Sequence, residues 1–186
     1  MKKITTLLLL CVSTLLYSQT KPCSIYGSAK NHSDSIANSQ KNRTIKIKKV
    51  KNKISLNDLL NDSGVLSPDS FVCITGYVVE IKKGGTESCN CGATDDSLQD
   101  IHLYIGPTPN TQKEECIIVE ITPRFKKLNP KFDIKQFTGN KVNVYGYLFY
   151  DKEHRGNAKN TCVICTNVWR RTVWEIHPVV KIELTK

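Results

Sequence analysis

The chain has 186 residues, of which 39% are hydrophobic, enough for one domain with a buried core and an extension. Its longest apolar run, residues 7–16, is too short for a membrane-spanning helix of about 20 residues, which argues against a helical membrane protein. The formal charge of +10 is unevenly spread: residues 19–69 hold nine Lys/Arg against four Asp/Glu, and residues 70–186 hold sixteen against thirteen.

Residues 1–18 read as a secretory signal, with Lys2 and Lys3 first, the apolar run next, and Ser18 before Gln19 and Thr20. Cleavage there predicts an exported protein, periplasmic or extracellular, in an oxidising compartment. Leu10 and Pro22 stand before Cys11 and Cys23 where a lipid-anchor site needs a small residue, so a lipid anchor is not favoured. Residues 19–54 are rich in Ser, Asn and Lys and read as a disordered linker. The linker ends in KNRTIKIKKVKNK (41–53), seven basic residues and no acid, which serves either as a solvated tether or as an arm for an anionic surface.

The domain is expected over 55–186. SLNDLLND reads as a short helix, with Ser55 and Asp58 forming a capping box and Leu56, Leu59 and Leu60 one apolar face. Five strands follow, at 71–82, 100–106, 116–123, 140–151 and 173–184, each carrying period-two alternation or β-rich composition. The first is long and has Gly76 in its middle, where a strand can bend. Between the third and fourth, PRFKKLNPKFDIKQF loses the two-residue period and reads as a helical connection. Mainly β, with five strands and a helix between strands three and four, is the layout of an OB-fold-like barrel.

The strings GGTESCNCGA, VEITPRF, YGYLFYDKEH and WRRTVWEIHPV resemble an exported bacterial family of unknown function, over roughly residues 65–184. The resemblance implies one barrel-like domain and export, and it implies no activity. Cys162 and Cys165 depart from that pattern.

Strand alternation sorts the polar residues by face. With Ile101, Leu103 and Ile105 inward, Asp100, His102 and Tyr104 point outward; with Ile117, Val119 and Ile121 inward, Glu120 and Thr122 point outward, with Arg124 just beyond. Trp174 and Ile176 share the core side, leaving Glu175 and His177 on the other, and Asp151, Glu153 and His154 overhang from the following loop. On a wet outer face, His102, Glu120, Arg124, Glu175 and His177 are the catalytic candidates, and Asp100, Tyr104 and His154 join them for ligand binding. Such a set can hold a divalent ion and activate water, although any half-buried sheet also needs a polar outer face.

Seven cysteines follow the signal, an odd number. Cys89 and Cys91 lie in the loop between strands one and two, and Cys162 and Cys165 in the loop between strands four and five. They either tie the two loops together as disulfides, the default for an exported chain, or bind zinc as four thiolates. Cys73 and Cys116 sit in strands, to pair or to pack. Tyr104, Tyr145, Tyr147 and Phe149 offer either a stacking platform or ordinary packing, packing being preferred.

Three functions are compatible with this pattern. One is a binding module for an oligosaccharide, single-stranded nucleic acid or protein, held in the groove between the 83–99 and 152–172 loops. The second is a divalent-metal-dependent hydrolase or phosphodiesterase using His102, Glu120, Glu175 and His177. The third is a disulfide-stapled structural protein of the envelope. Nucleic acid is not favoured, because the positive charge lies outside the barrel. No cofactor beyond a divalent metal or zinc is suggested.

Overall fold

In FVCITGYVVEIKK every second residue from Val72 to Val78 is buried, as a sheet covered on one side requires. This strand, β1 (Phe71–Lys83), pairs with β4 (Lys141–Tyr150) through Tyr77 and with β2 (Ile101–Gly106) from Tyr77 onward. Gly76 stands at the hand-over: a Cβ there would lie 2.6 Å from the Ile105 side chain and 2.8 Å from the Gly106 carbonyl oxygen. The absence of a side chain lets β1 turn between its two partners.

With β3 (Ile117–Ile121) and β5 (Trp174–Leu184), the strands form a closed barrel in the order β1-β2-β3-β5-β4. All neighbours are antiparallel except β3 and β5. The barrel is OB-fold-like, as the order of elements predicts. The computed structural model describes residues 23–43, 46–50, 54–62 and 66–185. The expected signal at 1–18 and the first linker residues lie outside the described residues. No described helix is long and apolar enough to cross a membrane.

The core lies inside the barrel, where Ile74, Leu103, Ile117, Val119, Ile121, Leu148, Trp174 and Ile176 are almost wholly enclosed. The capped helix α2 (Leu56–Asn61) forms as its sequence predicts, and its three leucines complete that core. Between β3 and β4, Thr122 caps α3 (Pro123–Leu128), with Pro123 at the helix start. Phe125 then meets Phe132 edge-on and Phe132 stacks on Phe137, with ring centroids 4.9 and 5.7 Å apart.

The structure departs from expectation in the segment read as a disordered linker. Residues 32–41 form a helix, α1 (His32–Lys41), whose N-cap Asn31 side chain accepts from the Asp34 amide. The segment is held by polar contacts: the Cys23–Cys91 disulfide, the Asn38 amide on the Tyr26 carbonyl, and the Asn42 amide on the Ile25 and Cys89 carbonyls. Its composition looks disordered because a helix pinned by a crosslink and side-chain amides needs no apolar stripe.

Candidate functional site

The register of three strands creates the centre of the site. On the outer face His102 stands opposite Glu120, and the parallel pairing of Ile118 with Glu175 and Val119 with Ile176 brings His177 alongside Glu120. His177 Nδ1 lies 2.8 Å from Glu120 Oε2, and His102 Nε2 lies 3.4 Å from Glu120 Oε1. Asp100, just before β2, brings a carboxylate oxygen to 3.8 Å from His177 Nε2.

The expected faces are therefore right, and the expected exposure is wrong. Asp100, Glu120, Glu175 and His177 are only 1%, 2%, 3% and 0% exposed. The 32–41 helix packs against β5 and the 88–90 turn, and the segments around it cover this face. Lys41 leaves that helix to meet Glu87 at 2.7 Å, with its ammonium 5.2 Å from the Phe149 ring centroid. From the 151–173 loop, buried Arg170 binds Asp151 at 2.7 Å and Glu175 at 3.0 Å. His154 sets its Nδ1 2.5 Å from the same Asp151 and its ring against Trp169.

Burial and neighbouring charge pull these groups apart in acidity. Burial pushes Asp100 up to about 7, against the opposing pull of His177. Burial and then the Glu120 charge hold Glu175 well above the usual carboxylate range, despite Arg170. For Glu120 burial acts upward, but His177 and His102 outweigh it and hold it well below that range. Burial would lower His177, yet Glu120 and Asp100 raise it. Lys41, which burial would also lower, is raised by Glu120 and Glu87.

Above this floor lies a cleft of about 850 Å³, bounded by the 32–41 helix, Thr86–Ser88 of the first loop, and Lys152–His154 with Trp169 and Arg170 of the last. It falls between the two loops that the sequence singles out. His102, Tyr104, Glu120, His154 and Glu175 line it. Asp100 and His177 sit behind them, outside the lining.

No protein-family model matches the chain, and no curated protein matches it.

Several candidates change role. Arg124 does not reach the centre; its guanidinium donates to the carbonyls of Cys23, Ser24 and Asn42 and clamps the N-terminal segment to the barrel. Tyr104 packs with Cys116 and Ile118 under Lys113. Tyr147 packs edge-on with Phe71, and Tyr145 hydrogen-bonds Glu183, so these aromatics do not share one stacking surface. The four-thiolate zinc site is overturned. Cys91 pairs with Cys23 and Cys162 with Cys165, so the two loops are not crosslinked to each other. Cys89 remains a buried thiol pushed upward by burial, and Cys73 and Cys116 remain thiols too.

Sequence reasoning misses Lys41, Glu87, Arg170 and Trp169. The signal for Lys41 is hidden in a basic run, where one lysine turned inward is indistinguishable from its solvated neighbours. For Arg170 a signal exists: three carboxylates expected near one another require a buried cation, and arginine is the residue that serves two at once.

Proposed function

We propose that this chain is an exported OB-fold-like binding module whose ligand is an oligosaccharide seated in the cleft between the 83–99 and 152–172 loops. The observation that carries this reading is the cleft itself, which has the volume of a small-ligand site and lies on the outer face where OB-folds bind. Trp169 is 42% exposed at its wall, an apolar ring face of the kind that sugars stack on.

The charge of the lining supports a ligand that is not a polyanion. Seven Asp/Glu face five Lys/Arg around the cleft, the reverse of the balance that nucleic acid needs. Export is supported by the signal-like residues 1–18 and by the two disulfides, which persist in oxidising compartments. A hydrolytic role is the second reading, supported by the approach of His102 and His177 to opposite oxygens of Glu120.

The chain has two tryptophans, and Trp174 is fully enclosed, so a surface fluorescence response reports on Trp169. Titration with cellohexaose, chitohexaose and maltohexaose should give a saturable change with at least one, lost in Trp169→Phe. Oligo(dT) should give none at physiological salt. Silence toward all three sugars, or tighter binding of oligo(dT), contradicts the reading.

A further inference from the structure

The ion pairs of the outer face leave two carboxylates without a permanent cation. Lys41 is taken by Glu87, and Arg170 is shared by Asp151 and Glu175. Asp100 and Glu120 have only histidine rings within ion-pair distance. Both oxygens of Asp100 are buried with no hydrogen-bond partner, and so are Glu120 Oε2 and both ring nitrogens of His177. His177 Nδ1 and Glu120 Oε2 stand 2.8 Å apart as an ion pair, and Nε2, on the other side of the ring, faces Asp100 at 3.8 Å. Native proteins rarely leave this many buried polar atoms unmet at one spot.

We propose that Asp100, Glu120 and His177 form a binding site for a divalent first-row metal ion. Their ligating atoms all lie within 4.8 Å of one another, and all three residues are buried. His177 can offer an ion only one of its two ring nitrogens, and donors at about 2.1 Å from one ion stand roughly 3–3.5 Å apart, so a set with one atom from each residue within 4.8 Å closes on an ion by side-chain adjustment. Two carboxylates and one imidazole suit zinc or manganese, whereas calcium and magnesium prefer oxygen alone. An ion here would meet the buried oxygens of Asp100, to which no described residue donates a hydrogen bond, and would share Glu120 with them. Glu120 presents its other oxygen to His102 at the cleft, so the site lies one carboxylate behind the proposed ligand surface. The inference rests on this cluster alone and stands whether or not the cleft binds sugar.

The test uses the untagged mature chain, stripped of metal and titrated with Mn²⁺ while the ring signals of His32, His102, His154 and His177 are followed by NMR. His177 should broaden first, within one equivalent, followed by His102, with His32 and His154 affected only at excess. Zinc should bind competitively at one per chain, and Asp100→Asn should weaken it by at least about tenfold. If Asp100→Asn does not fold, the order of the histidines in the unaltered chain decides the matter. Broadening of His32 or His154 first, or equal broadening of all four, overturns the proposal. With Co²⁺ as the probe, a sulfur-to-metal charge-transfer band would place the ion on Cys89 and would overturn it as well.

Discussion

On the inner face of β2, β3 and β5, Leu103, Val119 and Ile176 stand side by side across the barrel with no exposed surface. One residue further along, on the outer face, His102, Glu120 and His177 make the corresponding row, and two of the three are just as deeply buried. The inner row needs only volume, because apolar contact has no direction. The outer face needs partners of opposite charge in particular places, and they come from distant segments: Glu87 of the first loop for His102, Lys41 of the N-terminal helix for Glu87, and Arg170 of the last loop for Asp151 and Glu175. Burial on one face is the cause of stability, and on the other it is a cost met by pairing.

Removing a partner should therefore hurt the outer face as much as removing bulk hurts the inner one. Arg170→Met leaves Asp151 and Glu175 buried without their cation and should cost about 3–5 kcal/mol in urea unfolding. Adding Asp151→Asn and Glu175→Gln to Arg170→Met should return much of that loss. Trp174→Ala, on the inner face, should cost a similar 3–5 kcal/mol, with no rescue by any neutralising change. Equal rescue on both faces would erase the distinction.

The cover of the outer face is open to the same treatment. Cys23–Cys91 closes a loop of 68 residues and Cys162–Cys165 one of three, so Cys91→Ser should cost about 4 kcal/mol and Cys165→Ser about half that. Similar urea midpoints for the two variants would contradict the assignment of the first crosslink as the anchor of the N-terminal segment.

Acidity supplies a finer probe. Burial alone would raise Asp151, but the His154 hydrogen bond and the Arg170 charge outweigh it and hold its carboxyl at about 2. Because the folded value lies below the unfolded one, Asp151 contributes stability above about pH 4 that is lost as pH falls toward 2, about 2 kcal/mol in all. Asp151→Asn should flatten the acid limb of the stability curve over that window. The smallest effect is expected from Ile176→Val, about 1 kcal/mol and independent of pH over the same range.

The inner face was legible because strand alternation is local: FVCITGYVVEIK, DIHLYIG and VWEIHPVVKIEL each display their buried set without reference to one another. The capping box at Ser55 and Asp58 is equally local, and it forms as read. The outer face was legible only in part. Alternation assigns His102, Glu120, Glu175 and His177 to one side, and register then joins His102 and His177 to Glu120, but nothing in those strands tells that a helix lies over them. That cover is written in residues 23–43 as asparagines, serines and one cysteine, whose contacts span 17 to 68 positions. Arg124 shows the same limit, since its partners are backbone carbonyls about 82 to 101 residues away and carry no residue-type signal.

The central claim is that the His102–Glu120–His177 row is an enclosed polar centre beneath the N-terminal segment. Site-resolved carbethoxylation of the four histidines in the untagged, oxidised protein tests it most directly. The predicted order is exposed His32 and half-exposed His154 first, His102 slowly, and His177 not at all until the chain unfolds. Modification of His177 at the rate of His32 in the native protein would contradict the account.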